Sequence, residues 1–148
     1  MKDLRRPSFD EYFMAIANVI RTRSTCNRRA YGAVIVKDMK IVSTGYNGAP
    51  RGWRECLGGI CAREQEHVPH GKEYERCNSV HAEQNAVISG NPEDMDGAVI
   101  YIACYDKALD KMVEAVPCDI CMKMLVNAGI KGYINNTDGE IHPLVIKH

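Results

Sequence analysis

Two short segments carry the residues best suited to chemistry: His81-Ala82-Glu83 and Pro117-Cys118-Asp119-Ile120-Cys121. One imidazole and two thiolates supply three zinc ligands, and a catalytic zinc keeps its fourth position for water. Cys118 and Cys121 are three residues apart, so on a helix both sulfurs can face one side of the first turn. A helix N-terminus is electropositive, which favours thiolate. Glu83 follows His81 by two residues and can lie beside a metal without binding it. A carboxylate there can take a proton from water acidified by zinc and deliver it to a substrate and its leaving group. Alone, His81 reads as a satisfied polar residue, and Cys118-x-x-Cys121 as a redox pair or half a structural site. Together they point to metal-assisted hydrolysis.

The elements that must position these residues are partly legible. Residues 9–22 place Phe9, Phe13, Ile16, Ala17 and Ile20 at helical spacing behind Ser8, a plausible N-cap. Residues 31–37 and 40–46 read as β-branched strands, with Asp38-Met39 as a hairpin turn. Residues 47–78 read as a long loop, of the kind that is functional or held by something. Residues 80–89 read as a helix ending at Gly90, and 98–103 as a buried strand. The helix over 118–128 has Pro117 before it and Gly129 after it. Short strands follow at 131–135 and at 141–146, where Pro143 implies an edge. Such an order implies a sheet with helices on its faces.

Composition narrows the classes. A chain of 148 residues suits one domain over 1–148, and 45% hydrophobic residues suffice for a core. Nineteen basic residues balance nineteen acidic ones, which argues against nucleic acid as a partner. A local basic cluster, Arg21, Arg23, Arg28 and Arg29, reads either as a solvated helix end or as a phosphate pocket. The polar start and the lack of any run of about 18 apolar residues lead us to expect no leader, no membrane span and a cytoplasmic location. In a reducing compartment, seven cysteines suggest metal rather than disulfides.

Four segments carry a resemblance across most of the chain: GAVIVKD (32–38), STGYNGAPRG (43–52), CNSVHAEQNAVIS (77–89) and PCDICMKMLVNAGI (117–130). They resemble the zinc-dependent cytidine and deoxycytidylate deaminases, whose motif is H-x-E followed by P-C-x-x-C. STGYNGAPRG points to the dCMP branch. The resemblance implies a three-layer α/β fold, a central mixed five-stranded sheet flanked by helices. It implies hydrolytic attack at C4 of cytosine, turning dCMP into dUMP and ammonia, with dUMP feeding dTTP synthesis. Glu83 would shuttle protons, and His81, Cys118 and Cys121 would hold zinc. Asn47 would approach the sugar or base, and the backbone near Ala82 would help hold the ring. Such enzymes are commonly hexamers, activated by dCTP and inhibited by dTTP, with magnesium on the triphosphate. One departure is residues 104–116, longer than in many relatives, which could form a hairpin or rim the pocket.

Cys26, Cys56, Cys61 and Cys77 could close a second, structural zinc site, as in some dCMP deaminases, with His67 or His70 able to replace one cysteine. The competing reading is four buried free thiols. Cys104 reads as an apolar strand residue. Arg23, Arg28 and Arg29 are candidate phosphate contacts, substrate and effector phosphate being unranked. Arg23 joins the substrate set; Arg28 joins Gly45, Tyr46 and Gly48 as effector candidates, while Arg51 and Arg54 stay open.

Overall fold

The computed structural model describes residues 5–56 and 77–144. Its first helix, α1 (Phe9–Ile20), opens on a capping box: the Glu11 amide donates to Ser8 Oγ at 3.1 Å and the Ser8 amide to Glu11 Oε1 at 3.2 Å. A 3-10 turn, Arg21–Arg23, follows. Strands β1 (Arg29–Lys37) and β2 (Lys40–Tyr46) form the expected hairpin. Asp38 and Met39 take φ of 52° and 61°, the positive pair that a two-residue hairpin loop matched to strand twist requires.

Later in the chain come α2 (Ala82–Ser89), β3 (Val99–Asp106), β4 (Lys111–Val113), α3 (Asp119–Ala128), β5 (Gly132–Asn135) and β6 (Ile141–Pro143). Five strands run in the order β2-β1-β3-β5-β6, with β4 as a sixth, off this path, pairing with β3. β3 and β5 are parallel, joined through α3, and the other pairings are antiparallel, so the sheet is mixed. The extra stretch at 104–116 is thus a hairpin: β3 continues to Asp106 and β4 turns back against it. Pro143 closes an edge strand, where its missing N–H costs nothing in the ladder.

Strand alternation sorts the core into two layers. Val34, Val36, Tyr101, Ala103 and Ile134 pack under Phe13 and Ala17 of α1. Ala33, Ile35, Ile100, Ile102 and Tyr133 face the opposite side, against Ala82 and Ala86 of α2 and Leu125 of α3. The three-layer arrangement follows, and it sets the starts of α2 and α3 side by side over one end of the sheet.

Gly45 controls how closely α2 approaches. A Cβ there would lie 2.4 Å from the Ala82 carbonyl oxygen and 2.4 Å from the Ala86 nitrogen, both backbone atoms. Gly45→Ala is therefore expected to destabilise the protein by about 2 kcal/mol and to push the helix carrying His81 and Glu83 outward. Urea unfolding would register the loss, and an unchanged midpoint would contradict the close packing.

Candidate active site

The approach to α2 is fixed by backbone pairing. Gly48 and Val80 exchange hydrogen bonds of 3.2 and 2.7 Å, so the segment entering the helix is tied to the exit of β2. Asn85 Nδ2 donates to the Tyr46 carbonyl at 2.8 Å, and the buried Ser43 hydroxyl donates to the Ala86 carbonyl at 2.6 Å. His81 is the N-cap, its amide donating to Gln84 Oε1 at 2.9 Å. Its ring therefore leaves the first turn in a fixed direction.

Cys118 is the N-cap of α3, and its sulfur accepts from the Cys121 amide at 3.5 Å. Gly129 ends that helix at φ 93°, a left-handed C-terminal position. His81 Nδ1 lies 3.2 Å from Cys121 Sγ and 3.6 Å from Cys118 Sγ. Among the described residues, these three gather their ligand atoms within 4.8 Å of one another. Two soft thiolates and one imidazole in that space fit zinc.

The three groups are electrostatically coupled. Cys118 is pulled far below an ordinary thiol by hydrogen bonding with Cys121, with further help from His81 and the Cys121 amide. Cys121 is pushed up for the complementary reason: the pair shares a proton, and Cys121 is buried beside Glu83. His81 is raised, chiefly by its hydrogen bond with Cys118. Glu83 is only 5% exposed, and burial pushes its carboxyl above the ordinary range. A buried carboxyl beside a metal site is suited to proton transfer.

His81, Glu83 and Cys118 line a cavity of about 540 Å³ whose wall also includes Ala82, Arg28, Arg29 and Asp106. Asn47 and Tyr31 also line it. The Asn47 side chain clamps β1, accepting from the Tyr31 amide at 2.9 Å and donating to the Arg29 carbonyl at 2.8 Å. That leaves one N–H and one lone pair of its amide for a ligand.

Other sequence-derived candidates fall elsewhere. Arg23 is exposed and does not line this cavity; its guanidinium lies 5.8 Å from the Tyr46 ring centroid. Gly45 is packed on α2, and Gly48 is paired with Val80, so both have structural duties. Cys26, Cys56 and Cys77 line the cavity wall, whereas Cys61, His67 and His70 lie outside the described residues. The Arg28 amide donates to Cys26 Sγ and the Ser79 amide to Cys77 Sγ, each at 3.4 Å. Cys104 is fully buried on β3.

Sequence reasoning left Tyr31 and Asp106 unassigned and gave Arg29 no partner. Arg29 pairs with Asp106, Nε to Oδ2, at 3.1 Å across the β1–β3 ladder. The available signal was strand alternation, which puts Arg29 and Tyr31 on the same face as Ala33. Their partners across the ladder depend on a long-range register.

Residues 7–136 match the family described as the cytidine and deoxycytidylate deaminase zinc-binding region. The deoxycytidylate deaminase of Mycobacterium phage D29 is 38% identical over 133 residues, covering 86% of this chain and 94% of that protein. That of Schizosaccharomyces pombe is 35% identical over 133 residues, covering 89% of this chain. The chain spans only 38% of the fission-yeast protein's length. Among solved structures, the dCMP deaminase of cyanophage S-TIM5 in complex with dCMP and dUMP aligns with a TM-score of 0.59 and 28% identity, covering 91% of this chain and 89% of the other. No helix of the described residues is long and apolar enough to cross a membrane.

Proposed function

We propose that this chain, which belongs to the cytidine and deoxycytidylate deaminase family, hydrolyses dCMP to dUMP and ammonia. The observation that carries this reading is the convergence of His81, Cys118 and Cys121 beside the buried Glu83 at a nucleotide-sized cavity. The phage relatives, named for dCMP and similar over most of their length, support the substrate.

His81, Cys118 and Cys121 would hold the zinc. When bound, zinc supplies a nucleophile from water at neutral pH by lowering that water's pKa to about 7. Glu83 accepts the proton given up by the attacking water and delivers it to N3 of the ring as C4 becomes tetrahedral. It then takes the proton of the C4 hydroxyl and passes it to the departing amino group, and ammonia leaves as the C4 carbonyl of dUMP forms. Ala82, fully buried at the helix start, places backbone against the ring. Asn47 meets the sugar or base with its remaining N–H and lone pair, and Arg28 and Arg29 on the cavity wall receive the phosphate.

The finer parts of the reading rest on the family resemblance. A second zinc would be held by Cys26, Cys56, Cys61 and Cys77, with His67 or His70 able to replace one of them; amide donors to Cys26 and Cys77 sulfur suit thiolates, and zinc analysis would give two ions per chain. The product would feed dTTP synthesis in the cytoplasm. A hexamer activated by dCTP and inhibited by dTTP, with magnesium on the triphosphate, completes the proposal.

Ammonia release on dCMP, dCTP, deoxycytidine and CMP, each with and without dCTP or dTTP as effector, tests substrate and regulation together. Fast turnover of dCMP, moved in opposite directions by the two triphosphates, is the expected result. Preference for another member of the panel would overturn the substrate assignment, and indifference to both triphosphates would overturn the regulation.

A further inference from the structure

Tyr31 lines the cavity and stands on β1 between Arg29 and the core residue Ala33. It lies on the same face of β1 as Arg29, about 7 Å further along the strand. Arg29, with Arg28, supplies basic groups to the cavity wall. Beyond Tyr31 the same face passes to Ala33, fully buried in the core cluster that includes Ala82. A nucleotide with its base at Glu83 and its phosphate at Arg28 and Arg29 would therefore carry its pentose past Tyr31.

The side chain is held from several directions. Its phenol is electrostatically coupled to the Arg29 guanidinium and to the buried Cys104 thiol, and burial pushes its pKa up. Cys104 is its cross-strand partner, and the Tyr31 amide donates to Asn47 Oδ1 at 2.9 Å. Arg29 is itself fixed by Asp106. Asp106 Oδ1 in turn accepts the Ala108 and Leu109 amides at 3.0 Å each. Tyr31 also lines the cavity, so its ring carbons are available to a ligand there.

We propose that Tyr31 sets the pentose specificity of this site: its fixed ring accepts the 2′-methylene of a deoxyribose and disfavours the 2′-hydroxyl of a ribose. The proposal rests on the dCMP reading above. A ribose hydroxyl against the ring would lose water and gain no partner. Rejection of one added hydroxyl by an apolar wall is worth about a hundredfold at most.

The test compares kcat/KM for dCMP and CMP in the zinc-loaded full chain, in Tyr31→Val and in Tyr31→Phe. Wild type is expected to prefer dCMP by about tenfold to a hundredfold. Tyr31→Val, which keeps a strand-forming residue while removing the ring, is expected to cut that preference at least about tenfold, mainly through a lower KM for CMP. Tyr31→Phe keeps the ring and should hold the preference within about threefold. If Tyr31→Val loses zinc, Tyr31→Leu is read by the same criterion. A preference unchanged in the zinc-retaining variant overturns the role of Tyr31, as does a wild type that uses dCMP and CMP equally well. No dCMP turnover by wild type overturns instead the substrate reading on which it stands.

Discussion

Glu83→Gln is expected to lower kcat by about a thousandfold while zinc content and fold stay as they are. Gln is nearly isosteric, so the buried site at α2 keeps its shape. What disappears is a group that can take and return a proton. Burial holds the Glu83 carboxyl above its ordinary range. Among the described residues that line the site, Cys118 would be committed as a ligand and Asn47 does not titrate. Steady-state ammonia release, with zinc measured on the same sample, checks the expectation. A variant that kept most of its turnover would remove Glu83 from the mechanism, whereas loss of zinc along with turnover would make it a structural support for the metal.

Cys121→Ala is expected to have the other large effect, abolishing turnover and lowering zinc content by one ion per chain. Cys121 is fully buried, with its sulfur 3.2 Å from His81 Nδ1. Removing it leaves two ligands, too few for a closed coordination shell around a catalytic position. The starts of α2 and α3 would also lose their cross-link, so the melting temperature should fall toward that of chelator-treated wild type. Metal analysis and thermal melts of variant and wild type check this. Full zinc occupancy in Cys121→Ala would show that the metal is held elsewhere.

The site was legible in the sequence because its signals are local. Pro117 and Gly129 bracket α3, and a helix start turns Cys118 and Cys121 to one side whatever the rest of the fold does. His81 and Glu83 likewise owe their positions to the first turn of α2. The sheet was less legible where pairing is long-range. Residues 104–116 show no clean alternation, so the continuation of β3 to Asp106 and the return of β4 emerge only from the register Cys104 to Val113 and Asp106 to Lys111. The same dependence hides the contacts of Arg29 with Asp106 and of Tyr31 with Cys104, residues 77 and 73 apart in sequence.

The STGYNGAPRG segment teaches a related lesson. Its glycines suggest a ligand loop, yet Gly45 and Gly48 are needed first by packing: one admits α2, and the other lies within 2.9 Å of Thr25 Oγ1 where a Cβ would stand. Asn47 between them carries both duties, bracing β1 with its two amide ends while lining the cavity. A sequence motif therefore marks this corner of the molecule without separating the residues that build it from those that meet a ligand.

The most direct test of the central claim is product analysis after incubating zinc-loaded protein with dCMP in ¹⁸O-labelled water. The account predicts dUMP carrying one heavy oxygen at C4, with one ammonia released per dUMP formed. Unchanged dCMP, or a product without label at C4, would contradict hydrolytic deamination by this site.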